Sequence, residues 1–295
     1  MGRQQCLLCG SVESTVIQQG IRYDTDSSVH RCNGCSLVFL SPMPTEQQLS
    51  DYYSDTYRAE YEGVVSPEGS YEKGIEPARE RVHRMVPHLR AGARVLEIGS
   101  SAGQFLEAVR PYAGVVVGVE PGIKHAKWAR EQLGVRVVGN LRELQQETFD
   151  AITLFHTLEH FRNPVAYLRE LNRYLADDGA LFIEVPNVDD ALLSIYKIAG
   201  FPEFYFQKAH LYYFSPETLR RTVALAGGQA DVIGVQRYDF SNHLRWMLTG
   251  KPGGQGYYQS MFSNSLNIAY AESLIRANCA DTLWASARFE VSQNR

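Results

Sequence analysis

Short apolar runs alternate with amphipathic segments through the middle of the chain. The runs have the length and composition of strands buried on both faces of a sheet, and they cover residues 95–98, 115–119, 135–138, 149–155 and 180–185. Five alternations of strand and helix without a hairpin signal predict a parallel sheet with helices on both faces. Two last strands are expected at 230–235 and 282–289. The predicted fold class is therefore α/β, a Rossmann-like, seven-stranded, mostly parallel sheet.

The first of these strands runs into a turn built from small residues. Glu97 lies in the strand, and the residues of the turn are Gly99, Ser100, Ser101, Ala102 and Gly103. A strand, a tight turn and a helix bring backbone N–H groups and a helix N-terminus against a ligand. Right-handed crossovers place the carboxyl ends of the strands at one edge of the sheet, so Glu97, Glu120 and His156 are expected together there.

Two nucleotide-like ligands compete for this turn. A dinucleotide-binding fold requires G-x-G-x-x-G directly after the strand. Here Gly99 and Gly103 are four residues apart, an acidic residue stands two positions before the first glycine, and a third glycine is missing. Glu120 suits ribose hydroxyls in both kinds of site and does not discriminate between them. The glycine spacing favours the pattern E-x-G-x-x-x-G over the dinucleotide fingerprint.

This pattern resembles motif I of the class I S-adenosylmethionine-dependent methyltransferases. Later segments resemble the later motifs of that family in the same order, and they read VEPGIKHAKWAREQLGV, GNL, FDAITLFHTLEHFRNP and ALFIEVPN. The resemblance covers roughly residues 90–235, and it is specific as a set although each piece alone is weak. It implies an enzyme that transfers a methyl group from S-adenosylmethionine.

The resemblance also implies a role for each matching position. Around the amino-acid part of the cofactor it places Gly99, Ser100, Ser101 and Gly103. Glu97 is expected to hold the ammonium group, directly or through water, and Glu120 to bind the ribose hydroxyls. Pro121, Asn140 and Leu141 are expected beside the adenine, and Phe155 and His156 near the sulfonium end. A cap or turn role is the alternative for Glu97, and a simple turn role for Asn140.

Four of the five cysteines form two C-x-x-C pairs near the N-terminus, Cys6 with Cys9 and Cys32 with Cys35. Four thiolates on two such turns suit tetrahedral zinc, and with four protein ligands the metal would be structural. A rubredoxin-like iron site and a set of unrelated free thiols are the alternatives. The fold is therefore expected to include a small N-terminal zinc knuckle.

The knuckle, a P-x-P linker, a tyrosine-rich segment and the class I core together resemble the zinc-containing methyltransferases of bacterial sugar and polysaccharide pathways. Among these are the NDP-deoxysugar C-methyltransferases, in which a Tyr-x-Glu-His segment removes a proton next to a ketone. Here His210 is kept, but Gln207 and Ala209 stand in place of the tyrosine and the glutamate. This difference favours a hydroxyl or amine acceptor over a carbon acceptor.

A hydroxyl acceptor must lose its proton during methyl transfer, and a histidine is the natural base. The candidates are His160, in the loop after the fourth strand, and His210. Each has a structural alternative, since His160 could shape its loop and His210 could be a buried structural residue. Glu159 could orient a histidine, but it is expected to face solvent.

Composition and charge narrow the class of protein. The chain has 295 residues and a net charge of −4, with a sequence pI near 6.1. Neither a basic stripe nor a long apolar run is present, so neither nucleic acid nor a membrane is expected as a partner. The cysteine pattern fits a reducing compartment, and a cytoplasmic location is expected. Zinc-knuckle recognition of RNA is the rival function from another class.

The predicted domains are a zinc-binding knuckle at 1–42, a tyrosine-rich helical linker at 43–90, and the methyltransferase domain at 91–295, with insertions at 187–214 and 240–280. The predicted reaction is S-adenosylmethionine-dependent methyl transfer to a small polar acceptor. The expected acceptor is a hydroxyl or amine of a sugar or nucleotide sugar in bacterial glycan or natural-product biosynthesis. C-methylation of an NDP-keto-deoxysugar is the alternative within the same class.

Overall fold

The computed structural model describes residues 4–22, 24–55 and 66–289. Its strands are β1 (Ser14–Ile21), β2 (Asp24–Cys32), β3 (Val38–Ser41), β4 (Arg94–Ile98), β5 (Val115–Val119), β6 (Arg136–Val138), β7 (Phe149–Phe155), β8 (Leu175–Pro186), β9 (Tyr212–Tyr213), β10 (Gly228–Val235) and β11 (Thr282–Phe289). Its helices are α1 (Glu46–Asp55), α2 (Pro67–Met85), α3 (Gln104–Val109), α4 (Ile123–Trp128), α5 (Pro164–Asn172), α6 (Ala191–Ser194), α7 (Phe201–Tyr205), α8 (Pro216–Leu225), α9 (Phe240–Thr249) and α10 (Asn264–Arg276). None of the described helices is long and apolar enough to cross a membrane.

The larger sheet has seven strands in the order β10-β11-β8-β7-β4-β5-β6. β4 pairs in parallel with both β5 and β7, and β5 pairs in parallel with β6. The predicted Rossmann-like, mostly parallel seven-stranded sheet is therefore confirmed. The chain moves outward from β4 through β5 to β6 and then returns to the other side of β4 at β7. This reversal of strand order is the place where open α/β sheets bind ligands.

The centre of this sheet is built from the apolar runs that the sequence pattern singles out. Val95, Leu96 and Ile98 of β4 are buried, and so are Phe105 and Leu106 of the following helix. Strands that are covered on both faces need such continuous apolar runs. β5 and β7 have the predicted bounds.

One predicted strand begins earlier than expected. The apolar run at 180–185 predicts a strand over those residues, but β8 runs unbroken from Leu175. Gly179 fits this strand because the chain passes close to it. A Cβ atom there would lie 2.9 Å from the carbonyl oxygen of Ala176 and 3.0 Å from that of Phe149.

The smaller sheet has four strands in the order β1-β2-β3-β9, and β2 and β3 carry antiparallel partners on both sides. β3 comes from an apolar run whose residues are almost fully buried. Its last partner is short, since β9 contributes Tyr212 opposite Phe39 and Tyr213 opposite Val38. Cys32 is the last residue of β2 and Cys35 lies between β2 and β3, so this cysteine pair is attached to a sheet that a distant part of the chain completes.

Among the described residues, contacts group the chain into two units. The knuckle unit is drawn from Met1–Pro44, Leu158–Val165 and Glu184–Ala285. The core unit is drawn from Thr45–Thr157, Ala166–Ile183 and Ser286–Arg295. The predicted domain boundaries at residues 42 and 90 stay predictions, and Tyr57 and Tyr61 of the tyrosine-rich segment lie outside the described residues.

Candidate functional site

The turn after β4, in the core unit, depends on its two glycines. Gly99 and Gly103 have φ angles of +74° and +80°, in the left-handed region that other residues rarely adopt. A Cβ atom on Gly99 would lie 2.8 Å from the hydroxyl oxygen of Thr157. That hydroxyl donates to the carbonyl oxygens of Phe155 and Ile98 at 3.0 and 3.2 Å, so it cannot easily move away. The E-x-G-x-x-x-G spacing is therefore a backbone requirement of this turn.

The N–H groups of the turn are used inside the protein. Gly99 and Ser100 both donate to the carbonyl oxygen of Val119, at 2.8 and 3.1 Å. Ser101 donates to Glu120 Oε2 at 2.8 Å. The expectation that these N–H groups face a ligand is wrong for these three, because they tie the turn to the end of β5. An anionic ligand group gains little here, whereas a ligand cation can use nearby acceptor oxygens.

Glu120 is held in a fixed orientation. Its Oε2 accepts from Ser101, and its Oε1 accepts from the N–H of Gly122 at 2.7 Å. The residue is only 5% exposed. A carboxylate has about four lone-pair positions, so each oxygen can accept from more than one donor. Two parallel acceptor oxygens suit a pair of neighbouring hydroxyls, as on a ribose.

Glu97 is a buried carboxyl group in the same unit, with 4% of its surface exposed. Its Oε2 accepts no hydrogen bond from the part of the chain that the structure describes. Burial raises the pKa of Glu97 to about 8; the Arg81 guanidinium opposes this shift and the nearby Glu120 adds to it. A cationic ligand would favour the ionised carboxylate and satisfy the buried oxygen. The ammonium group of S-adenosylmethionine has this charge, so Glu97 and Glu120 fit the two polar ends that the resemblance assigns to them.

Other predicted cofactor positions carry structural tasks as well. The Asn140 side chain accepts from the N–H of Arg142 at 3.1 Å and donates to Glu143 at 2.9 Å, which caps a short 3-10 helix. Phe155 packs edge-on against Phe105, with ring centroids 4.8 Å apart, and lies under the Arg81 guanidinium. Roles of these residues toward the cofactor stay predictions.

The remaining predicted positions differ in exposure. Leu141 is buried, His156 is half-buried and has a φ of +50°, and Pro121 is exposed. Ile123, just after the Glu120 loop, is 81% exposed.

The four N-terminal cysteines converge in the knuckle unit. Their sulfur atoms all lie within 4.8 Å of one another, with Cys6 and Cys35 at 3.5 Å and Cys9 and Cys32 at 3.4 Å. Tetrahedral zinc with bonds of about 2.3 Å requires sulfur atoms about 3.8 Å apart, so the arrangement fits the ion. Burial works to raise the pKa of Cys32, but hydrogen bonds from the Gly34 N–H and Cys9 lower it to about 7.

A second cluster in the knuckle unit contains Glu159, His160 and His210. Their ligating atoms lie within 4.8 Å of one another, and Glu159 Oε1 is 3.8 Å from His210 Nε2. The expectation that Glu159 faces solvent is wrong, since the residue is fully buried. The two imidazole rings meet edge to face, with centroids 5.0 Å apart. The structure therefore brings together the two histidines predicted to act on the acceptor, and it adds a carboxylate to them.

The fold and the turn at residues 99–103, called the donor turn below because it would hold the methyl donor, define a class of protein. This class is the class I S-adenosylmethionine-dependent methyltransferases. A family model described as a methyltransferase domain (Methyltransf_23) matches residues 71–229, more than half of the chain. The chain therefore belongs to this methyltransferase family. The prediction of an enzyme of this class is confirmed at that level.

Individual relatives match part of the chain. An ubiquinone biosynthesis O-methyltransferase of Xanthomonas oryzae pv. oryzae is 32% identical over 114 residues, covering 36% of this chain and 48% of the relative. A tRNA U34 carboxymethyltransferase of Dichelobacter nodosus is 29% identical over 114 residues, covering 36% of each. The chain thus spans less than half the length of these relatives.

Among solved structures, a SAM-dependent methyltransferase from Archaeoglobus fulgidus has a TM-score of 0.51 at 19% identity and covers 72% of this chain and 93% of its own. The plantazolicin methyltransferase BpumL, solved with SAH, has a TM-score of 0.51 at 13% identity and covers 82% and 94%. At these identities the likeness establishes the fold.

Proposed function

We propose that this chain transfers the methyl group of S-adenosylmethionine to a hydroxyl or amine of a small polar acceptor, a sugar or a nucleotide sugar. The observation that carries the proposal is the pair of buried carboxyl groups, Glu97 and Glu120. Glu120 is already oriented by two N–H donors, and Glu97 keeps a buried oxygen available for an ammonium group. When bound, the cofactor supplies a methyl group that its sulfonium has activated.

The protein has two tasks in such a reaction, which are to fix the donor and to align the acceptor. Glu97, Glu120 and the turn at Gly99 perform the first task in this proposal. His160 and His210 perform the second, by handling the proton that an acceptor hydroxyl loses on methylation. Glu159 would compensate the positive charge of the histidine that takes up this proton. The four cysteines would hold one structural Zn²⁺, which leaves the ion no open position for chemistry.

The choice of a sugar acceptor rests on the N-terminal knuckle and the segment around His210, which resemble sugar-pathway methyltransferases. The name of the Xanthomonas relative supports an oxygen acceptor. The experiment is incubation with methyl-labelled S-adenosylmethionine and four classes of acceptor: nucleotide sugars, an NDP-keto-deoxysugar, catechols and tRNA. An O- or N-methylated sugar located by NMR is the expected product. Label only in tRNA or only in catechols would overturn the sugar assignment.

C-methylation is a second candidate, and one observation favours it. The glutamate of the C-methyltransferase segment is replaced by Ala209, but the fold supplies a carboxylate from elsewhere, since Glu159 lies 3.8 Å from His210. A histidine paired with a carboxylate can remove a proton next to a ketone. A methyl group on carbon in the product from the keto-deoxysugar would establish this second reaction and exclude the first.

A further inference from the structure

The cluster of Glu159, His160 and His210 contains a carboxylate beside its two histidines, and a pair of general bases does not require this third group. It offers two imidazole nitrogens and one carboxylate oxygen, all within 4.8 Å. This donor set binds first-row divalent cations and leaves coordination positions open for another ligand. The thiols of the knuckle form a different, softer and complete set. The described residues therefore contain two donor sets of opposite character.

The ring of His160 is oriented as a metal ligand would be. Its Nδ1 lies 2.8 Å from the carbonyl oxygen of Ala209. A carbonyl can only accept, so Nδ1 donates, and the lone pair of a neutral ring then resides on Nε2. A hydrogen bond from the second ring nitrogen to a backbone carbonyl is the usual support of a metal-ligating histidine.

The backbone holds the two ligand-bearing segments together. Glu159 and His160 lie in a short 3-10 turn that follows β7, and His210 precedes β9. The N–H of Leu211 donates to the carbonyl oxygen of Glu159 at 2.9 Å, and the N–H of His210 donates to Gln207 at 3.1 Å. A main-chain hydrogen bond therefore joins the two segments that carry the three donors.

Burial adds a charge argument. Glu159 is fully buried and His210 is 6% exposed. A buried carboxylate requires a compensating positive charge close to it. A protonated His210 at 3.8 Å can supply that charge, and so can a divalent cation held by both residues. The cation also accounts for His160, because the ligating atoms of all three residues lie within 4.8 Å of one another.

We propose that Glu159, His160 and His210 bind one divalent first-row cation, and that the open positions of this ion hold the oxygen of the acceptor. This inference rests on the proposed function for the identity of the second ligand, but the cation site stands without it. In this arrangement the two histidines are ligands that position the acceptor through the ion, and this replaces the proton-handling role given to them above, because a ring nitrogen that coordinates a metal cannot also accept a proton. An acceptor with two neighbouring hydroxyl groups suits such a site, because it can chelate the cation.

The test uses Mn²⁺ on the full chain after the cysteines have bound one equivalent of Zn²⁺ and all further zinc has been removed. Manganese is the first-row ion that competes least for thiolates. Titration followed by the electron paramagnetic resonance signal of free Mn²⁺ should show one bound ion per chain. Glu159→Gln, His160→Gln and His210→Gln should each weaken binding at least about tenfold. Glu170→Gln and His83→Gln, both on exposed positions, are the matched controls and should bind as the unaltered chain does.

The site is overturned if the unaltered chain does not bind Mn²⁺, or if all three variants bind Mn²⁺ as tightly as the unaltered chain does. Calorimetry with S-adenosylhomocysteine checks that each variant is folded, since the donor turn uses other residues. If a variant does not fold, imidazole signals of the unaltered chain decide the question. Broadening by Mn²⁺ of the His160 and His210 signals before those of the other histidines supports the site, and any other order overturns it. Neither measurement contains a methyl donor, so a failed acceptor panel beside positive Mn²⁺ binding overturns the proposed function alone.

Discussion

Glu120 accepts a hydrogen bond from the backbone N–H of Ser101 at 2.8 Å, and this bond ties the loop after β5 to the turn after β4. The two loops that would surround a methyl donor are therefore one connected structure. The other carboxylate oxygen of Glu120 accepts a hydrogen bond from the N–H of Gly122. The acidic residue therefore supports the turn through both of its oxygens.

Replacing Glu120 by Gln should weaken cofactor binding. The amide places an NH₂ group opposite one of two N–H donors, so one of these contacts is lost. In the proposed site the charged carboxylate also accepts from the ribose, and loss of a hydrogen bond to a charged group costs about 1.5–3 kcal/mol, or about ten- to a hundredfold in affinity for S-adenosylhomocysteine. Calorimetry measures this, with the exposed Glu131→Gln as control. Unchanged affinity in the Glu120 variant would exclude its role.

Glu97 should make stability depend on pH. Its pKa is about 8 in the folded chain against an ordinary value of 4.5. Between these values the folded state keeps a proton that the unfolded state loses, so the free energy of unfolding falls as pH rises from 4.5 to 8. Glu97→Gln removes this contribution. In urea unfolding, the free energy of unfolding of the variant minus that of the unaltered chain should rise across this pH range by up to a few kcal/mol. If the free energies of unfolding of the two chains change equally with pH, the raised pKa of Glu97 is contradicted.

Cofactor binding should release a proton near pH 7. At that pH Glu97 is mostly protonated, and an ammonium group beside it favours the carboxylate, so the proton leaves on binding. Calorimetry of S-adenosylhomocysteine in buffers of different ionisation enthalpy measures the number released. We expect release in the unaltered chain and a clear decrease in Glu97→Gln. Equal release by both would assign the proton to another group.

Two glycine substitutions separate backbone strain from crowding in the donor turn. Gly99 and Gly92 have similar φ angles of +74° and +71°, but a Cβ on Gly92 meets nothing within 4 Å. Gly92→Ala should therefore cost about 1–2 kcal/mol through strain alone. Gly99→Ala should cost more, because its Cβ meets Thr157, and it should also weaken cofactor binding. Equal free energies of unfolding for the two variants would show that Thr157 yields easily.

Zinc in the knuckle is tested by its stoichiometry. The purified chain should hold one Zn²⁺, and Cys9→Ser should lose it because only three thiolates remain. Cys279→Ser is the control, since Cys279 is a buried thiol that lies outside the cluster. Metal analysis measures the zinc content of each variant, and thermal unfolding measures its stability. Zinc retained in full by the Cys9 variant would exclude the four-thiol site.

The sequence pattern predicts the core of the fold because its signals are local. Apolar runs of strand length and the E-x-G-x-x-x-G spacing lie within a few residues, and they lead directly to β4, its turn and its helix. The same locality explains the cysteine cluster, whose two turns each carry half of the ligands.

The second cluster could not be derived in the same way. Glu159 follows a buried strand on a turn, and its burial depends on the segment around His210, which lies far along the chain. Pairing of β3 with β9 has the same origin, since β9 contains two residues and shows no strand signal by itself. Contacts between distant segments decide these features, and a pattern read along the chain does not contain them.

The pairing of β3 with β9 has a consequence for how the protein is made. The hairpin of β1 and β2 leaves the ribosome before β9, the strand that completes its sheet, because β9 comes much later in the sequence. Until then β3 has an open edge, and such edges invite pairing with other chains. Early capture of zinc by the cysteines would give this waiting segment a folded state of its own during translation.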